Sequence, residues 1–446
     1  MSVKQCRRGR NKSSVGRANF GWRNVVLLTF LASVALSVGC GNGDDGVVET
    51  EGAIAFVPPR DVVVVARASK VCQLVGDVDR QREEPTLNLT ESRYGIFGTD
   101  LGIPFRHDGR TYLLFGDTIG EGQLNRDPIA YTEDETPEDG IELTFFTDES
   151  GVYETIEIPG VSLGQFEVPT EGVSVGGTMY VYCTTDHTLE ISSTQIRHRM
   201  GRCVLAKSID RREFRHVYDV STNHFINLSI VEVDSADWAG LPQENEPGLV
   251  IFGSGRYRDS DVRLAFQPAA EIESRESLRY FSGLNDRGEP TWSVREEDAE
   301  ALFDQPCVGE FSVSYNRFIG KWIMLYNCNK AEPRGINLRT ADRPWGPWSE
   351  TQLIFHPWGD AGFCHFIHAN WFFQHCDTVH DAGREYTWGS EYGPYQFEHL
   401  AIGNGSETTI YFTMSTWNPY TVVLMKATLG LSEVSSDDPH SSASEA

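Results

Sequence analysis

A chain of 446 residues, 40% hydrophobic and 11% aromatic, can bury a large core and is not globally disordered. Its net charge is −26, and removing the seven cations of residues 1–39 (Lys4, Arg7, Arg8, Arg10, Lys12, Arg17, Arg23) leaves the body near −33. A surface that acidic repels phosphate backbones, so nucleic acid is not an expected partner.

In chain order, the first element is a targeting segment. A basic region ending at Arg23 is followed by an apolar stretch from Val25 to Val38, too short for a comfortable membrane span. It ends Leu36-Ser37-Val38-Gly39-Cys40, small residues before a cysteine, which resembles a bacterial lipobox with Cys40 as the acylated residue. Ser37 stands where an aliphatic residue is usual, and a plain secretory signal cleaved nearby is the alternative. Residues 1–39 are thus read as a signal peptide and 40–51 as a flexible tether. The protein is expected to be exported. Either a lipid on Cys40 holds it to the cell envelope, at the outer membrane or cell surface, or it is periplasmic or secreted.

The body, residues 52–430, repeats a pattern of a short strand, a turn and a strongly apolar strand. Unit one runs Gly102–Phe105 then Thr111–Asp117, and unit two Gly172–Val175 then Met179–Thr184. Unit three ends Leu249–Ser254, unit four runs Phe311–Tyr315 then Trp322–Asn327, and unit five Leu400–Ile402 then Ile410–Ser415. The second strands end at Asp117, Thr184, Ser254, Asn327 and Ser415, at intervals of 67, 70, 73 and 88 residues. About seventy residues hold four strands, and no long helical periodicity intervenes, which argues against βαβ units. The pattern predicts an all-β, five-bladed β-propeller of four-stranded antiparallel blades, expected to be a monomer. Val62–Ala66 is the candidate closing strand, residues 357–396 read as an insertion, and residues 431–446 as a disordered polar tail.

Beyond Cys6 and Cys40 there are seven cysteines and no C-x-x-C spacing. Cys183 and Cys203, Cys307 and Cys328, and Cys364 and Cys376 are candidate disulfides, leaving Cys72 over; buried free thiols are the competing reading.

In a propeller, residues near the start of each innermost strand gather at one mouth of a central channel. Asp100, Glu171 and Glu310 each precede the first strand of a unit. Converging carboxylates raise the pKa of at least one, giving the protonated acid and ionised base that glycosidic cleavage requires. The opposing reading makes each a surface turn residue among 64 acids. On the first reading Asp100 is base or nucleophile, Glu310 the general acid and Glu171 a modulator or second acid. Asp117, Arg256 and Arg258 are candidate substrate contacts, or else turn and surface ion-pair residues. Trp371, Phe372, Phe373, Trp388 and Tyr395 are candidates for stacking on sugars or for a packed core. His365, His368, His375 and His380 lack a zinc spacing, so no metal or other cofactor is expected; a calcium ion in the central channel stays open.

The stretches Gly98-Thr99-Asp100-Leu101-Gly102 and Gly109–Thr118 resemble the opening signature of the bacterial domain of unknown function 4185. Leu338–Ser349 resembles it too, in a form that recurs in several sugar-cleaving propellers. The resemblance covers about residues 90–430 and implies a five-bladed propeller. Some members are classed as glycoside hydrolase family 183, endo-acting on D-arabinan. Only Asp100 and Asp117 fall within the specific motif. The expected function is a glycoside hydrolase on a polysaccharide or oligosaccharide; the alternative is a non-catalytic carbohydrate-binding propeller of the cell envelope.

Overall fold

The computed structural model describes residues 60–432 apart from 193–195, 211–212, 244, 329–333, 370–375, 382 and 385–386. Cys40, the signal and tether segments, Trp371, Phe372, Phe373 and His375 lie outside the described residues.

Five antiparallel sheets follow one another along the chain as five blades. Their innermost strands are Ile96–His107, Pro169–Val175, Asn227–Asp234, Phe311–Asn316 and Ser390–Gln396. The second strands are the apolar runs read from the sequence, Arg110–Gly120, Thr178–Thr185, Pro247–Ser254, Lys321–Asn327 and Glu407–Trp417. These strands are apolar on both faces because each lies between two neighbouring blades. In blade one, Leu113 and Phe115 pack with Tyr411, Val422 and Leu424 of blade five. Their neighbours Tyr112 and Leu114 pack with Val181, Cys183 and Val204 of blade two. The same alternation builds a core between blades two and three, three and four, and four and five. Five interfaces of this kind close a ring.

Blade three carries a fifth strand, Pro290–Ser293, beyond the expected four. Blade five is joined from both ends of the chain: Val62–Gln73 pairs with Thr421–Leu431, Val62 opposite Leu431. Its innermost strand is not Leu400–Ile402, which forms a 3₁₀ turn and a two-residue edge strand. Ser390–Gln396 takes that place, from within the segment read as an insertion. Its Gly393 and Pro394 obscure the alternation of a strand, and register shifts where they stand, between Tyr392 and Tyr395.

Cys307–Cys328 and Cys364–Cys376 are disulfides with α-carbons 5.2 and 5.4 Å apart. The expected Cys183–Cys203 bridge is absent, and both are free buried thiols. Cys183 pairs with Val204, so Cys203 projects from the opposite face of the blade. Cys183 faces blade one and Cys203 faces blade three. Two disulfides belong to an oxidising, extracytoplasmic compartment.

Candidate active site

Asp100 pairs with Gly116 across the inner hairpin of blade one, and Leu101 and Gly102 follow with φ of 67° and 78°. This left-handed step is a bulge that aims the carboxyl into the channel mouth. Gly116 is required there: a Cβ would lie 2.8 Å from Asp100 Oδ1. Glu310 immediately precedes the inner strand of blade four, and its carbonyl accepts from Asn327 N at 3.3 Å. Tyr392 occupies the matching place in blade five, opposite Ser415. Together with Asp117, Arg258 and Tyr420 these residues line a cavity of about 550 Å³.

Glu171 is not among them. It lines a separate cavity of about 390 Å³ at the other mouth, built from the far ends of the inner strands. Tyr395 lies between, touching both cavities. The cause is a one-residue register shift. Pro169 pairs with Cys183 and Glu171 with Tyr182, so Thr170 is extra, and Pro169 and Thr170 take the position equivalent to Asp100 and Glu310. Glu171 instead ties blades together, accepting from Gly172 N and Ile230 N at 2.9 Å each.

Burial raises the Asp100 pKa to about 7, with the Asp117 charge adding to it and Glu310 contributing less. Tyr392 OH donates to Asp100 Oδ2 at 2.8 Å, and Tyr420, whose OH donates to the Asp117 carbonyl at 3.1 Å, also favours the ionised form of Asp100. Oδ1 is buried without a hydrogen-bond partner. Asp117 sits at about 6, raised by burial although both its oxygens accept from Phe166 N at 3.0 and 2.9 Å. Its own amide donates to Asp127 at 3.0 Å. Asp127 is pushed well up by burial and by Asp117 and Asp100.

Glu310 behaves in the opposite way. Burial pushes it up, but Arg258 outweighs that and holds it below the usual carboxylate range. The pair is two-pronged, Arg258 Nε to Oε2 at 3.1 Å and Nη2 to Oε1 at 2.8 Å. The guanidinium also lies 4.8 Å from the Tyr257 ring and 5.2 Å from that of Tyr392. The mouth therefore holds one carboxyl protonated near neutrality beside one fixed as a carboxylate.

Of the sequence candidates, the structure brings together Asp100, Asp117, Glu310 and Arg258. Arg256 is exposed in an adjoining cavity. Asp127, Tyr257, Tyr392 and Tyr420 were not anticipated. The signal for Asp127 was its place just before the third strand of blade one; Tyr392 was hidden in the misassigned strand. Trp388 packs against the core between blades four and five. His368 is fully buried and bonds Asp377 at 2.9 Å, while His365 and His380 are exposed. Among the described residues no group of three or more His, Cys, Asp or Glu side chains is placed to hold a metal ion.

No curated protein matches the sequence. Similar solved structures include an exo-β-1,3-galactanase from Phanerochaete chrysosporium, 9% identical with a TM-score of 0.41 over 81% of this chain and 64% of that one. The chain thus spans just under two thirds of that enzyme's length. A Bacillus subtilis arabinanase is 13% identical, with a TM-score of 0.35 over 74% of this chain and 96% of that one. A GH32 β-fructofuranosidase from Bombyx mori is 12% identical, with a TM-score of 0.38 over 76% and 62%. Residues 86–426, most of the propeller and all three carboxylates of the mouth, match one family throughout, and the chain belongs to the family described as Domain of unknown function (DUF4185).

Proposed function

We propose that this protein is a glycoside hydrolase acting on a polysaccharide at the mouth formed by Asp100, Asp117 and Glu310. The observation that carries the reading is Asp100. It is a buried carboxyl with a pKa of about 7 that lines the same cavity as the ionised Glu310. A carboxyl protonated at neutral pH can deliver its proton to a leaving glycosidic oxygen.

The charge states reverse the roles that chain position alone assigned. Asp100 is the general acid, and Glu310, kept ionised by Arg258, is the carboxylate that faces charge developing on the sugar ring. As the bond to the leaving oxygen breaks, that oxygen takes the Asp100 proton. Water adds to the anomeric carbon and gives its proton to Glu310, which releases it to solvent, while solvent returns one to Asp100. Asp117 keeps the Asp100 pKa high through its charge. Tyr257, Tyr392 and Tyr420 give the cavity flat faces for sugar rings. D-Arabinan is the first substrate to try.

The test is a polysaccharide screen on the exported protein beside Asp100→Asn. Release of oligosaccharides by the wild type, lost in Asp100→Asn with substrate binding retained, supports the reading. Equal release by both proteins would sink it. The same preparation tests export: acylation of Cys40, detected by radiolabelled palmitate and abolished in Cys40→Ser, supports attachment to the envelope through a lipid.

A further inference from the structure

The catalytic cavity does not end at Arg258. A second chamber of about 540 Å³ shares Tyr257 and Arg258 with it and extends toward the exposed hairpin Thr188–Ile191 and Ile196–Arg199. The chain as a whole is strongly acidic, yet this chamber is lined by four arginines, Arg197, Arg199, Arg256 and Arg258, against two acids, Glu190 and Asp259.

The pairings show which of these charges is spare. Arg199 is 3.0 Å from Glu190, Arg197 is 3.9 Å from Asp259, and Arg258 is committed to Glu310 at 2.8 Å. That accounts for both acids of the chamber. Among the described residues Arg256 alone of the four has no ion-pair partner.

The backbone that carries Arg256 is also held in place. Its turn is closed by Asp259 N donating to Arg256 O at 3.0 Å and by Gly255 N donating to Ser260 Oγ at 2.9 Å. Gly255 presses against blade three so closely that a Cβ would meet Asn223 O at 2.3 Å. The turn thus carries an unneutralised arginine on a fixed backbone, two residues from the arginine that ionises Glu310.

We propose that this chamber is a subsite for an anionic substituent of the saccharide, a carboxylate or a phosphate, bound by Arg256 beside the scissile position. The proposal rests on the glycosidase reading of the neighbouring cavity. It makes the cleft electrically polar along its length, with acids at the reacting floor and an uncompensated cation at one flank. An asymmetric chain carrying an anion then has one favoured orientation, because the reverse places its charge against Asp100, Asp117 and Glu310.

The test is calorimetric titration of the full-length protein at low salt with three probes: an oligogalacturonide, a glycerol-phosphate oligomer and a neutral arabino-oligosaccharide. At least one anionic probe is expected to bind about tenfold tighter than the neutral one, as one charge-assisted contact allows. Preference for the first identifies a carboxylate, and for the second a phosphate. Arg256→Gln abolishes the preference and leaves neutral binding unchanged, Arg256→Lys retains part of it, and about 0.5 M salt weakens it in the wild type. Equal affinity for all three probes overturns the proposal, as does an equal loss for all three in Arg256→Gln. Hydrolysis is scored separately through Asp100→Asn. An anion preference without any hydrolysis refutes the glycosidase reading alone, and hydrolysis without the preference refutes the subsite alone.

Discussion

The two mouths of the channel hold carboxyls that look alike by burial and differ in everything else. At one, Asp100 is raised to about 7 and lines a cavity walled by phenols and an ionised partner. At the other, Glu171 is raised further, to about 8, by burial alone among the raising causes, and backbone amides of two blades occupy both of its oxygens. A perturbed pKa therefore does not mark a site by itself. What distinguishes Asp100 is a neighbour of opposite protonation in the same cavity, whereas Glu171 is a cross-link between blades.

The sharpest way to break this comparison is to neutralise each carboxyl. Asp100→Asn should lower turnover by roughly 100-fold or more in a protein that still unfolds in one cooperative transition, and Glu171→Gln should leave turnover within about threefold. Comparable losses of activity from both would erase the distinction.

Next in size is the ion pair that sets the opposite protonation. Arg258→Met leaves Glu310 buried without its counter-charge, which should cost on the order of 3 kcal/mol of stability, with much of it restored in Arg258→Met/Glu310→Gln. Denaturant unfolding of the two variants measures this.

The pH dependence separates the mouths without comparing rates across variants. Both carboxyls have folded pKa values above their ordinary ones of 3.8 and 4.5, so each contributes stability that is present at acid pH. That contribution is lost as pH rises through about 7 for Asp100 and about 8 for Glu171. Glu171→Gln should flatten the fall of Tm between about pH 5 and 9 and leave the pH–rate profile unmoved. Asp100 should give that profile an alkaline limb near 7, where the acid loses its proton.

The smallest effect is a shift of that limb. Tyr392 donates to Asp100 and favours its ionised form, so Tyr392→Phe should move the alkaline limb upward by a fraction of a unit. Ser229→Ala, beside Glu171, should move nothing in the rate profile.

The ring was legible because middle strands buried on both faces are long apolar runs, and runs such as Thr111–Phe115 and Trp322–Tyr326 recur at near-constant intervals. Asp100 and Asp117 were legible through the glycine-rich stretches around them. Glu171 was placed in the wrong mouth because a bulge leaves no mark in composition: Pro169-Thr170-Glu171 reads as the same approach to a strand as Gly309-Glu310. Blade five was miscounted because Ser390–Gln396 contains both a glycine and a proline. Cysteine spacing located two bridges and misjudged the third, since whether residues on paired strands share a face depends on register, which spacing does not contain. Protonation was beyond sequence altogether. Arg258 meets Glu310 only when blades three and four dock, and that contact decides which carboxyl carries the proton.

The pairing of Val62–Gln73 with Thr421–Leu431 also governs the order in which the molecule can assemble. Blades one to four are each complete within a local stretch of chain, but blade five needs strands more than three hundred residues apart. During synthesis or passage across a membrane the polypeptide is an open stack with an unfilled edge until its C-terminal strand arrives. Tyr392 and Tyr420 belong to that last blade, so the Asp100 carboxyl acquires its phenol neighbours only at closure. The site proposed here is therefore incomplete in a nascent chain, and the burial that raises the Asp100 pKa is finished only by the event that seals the ring.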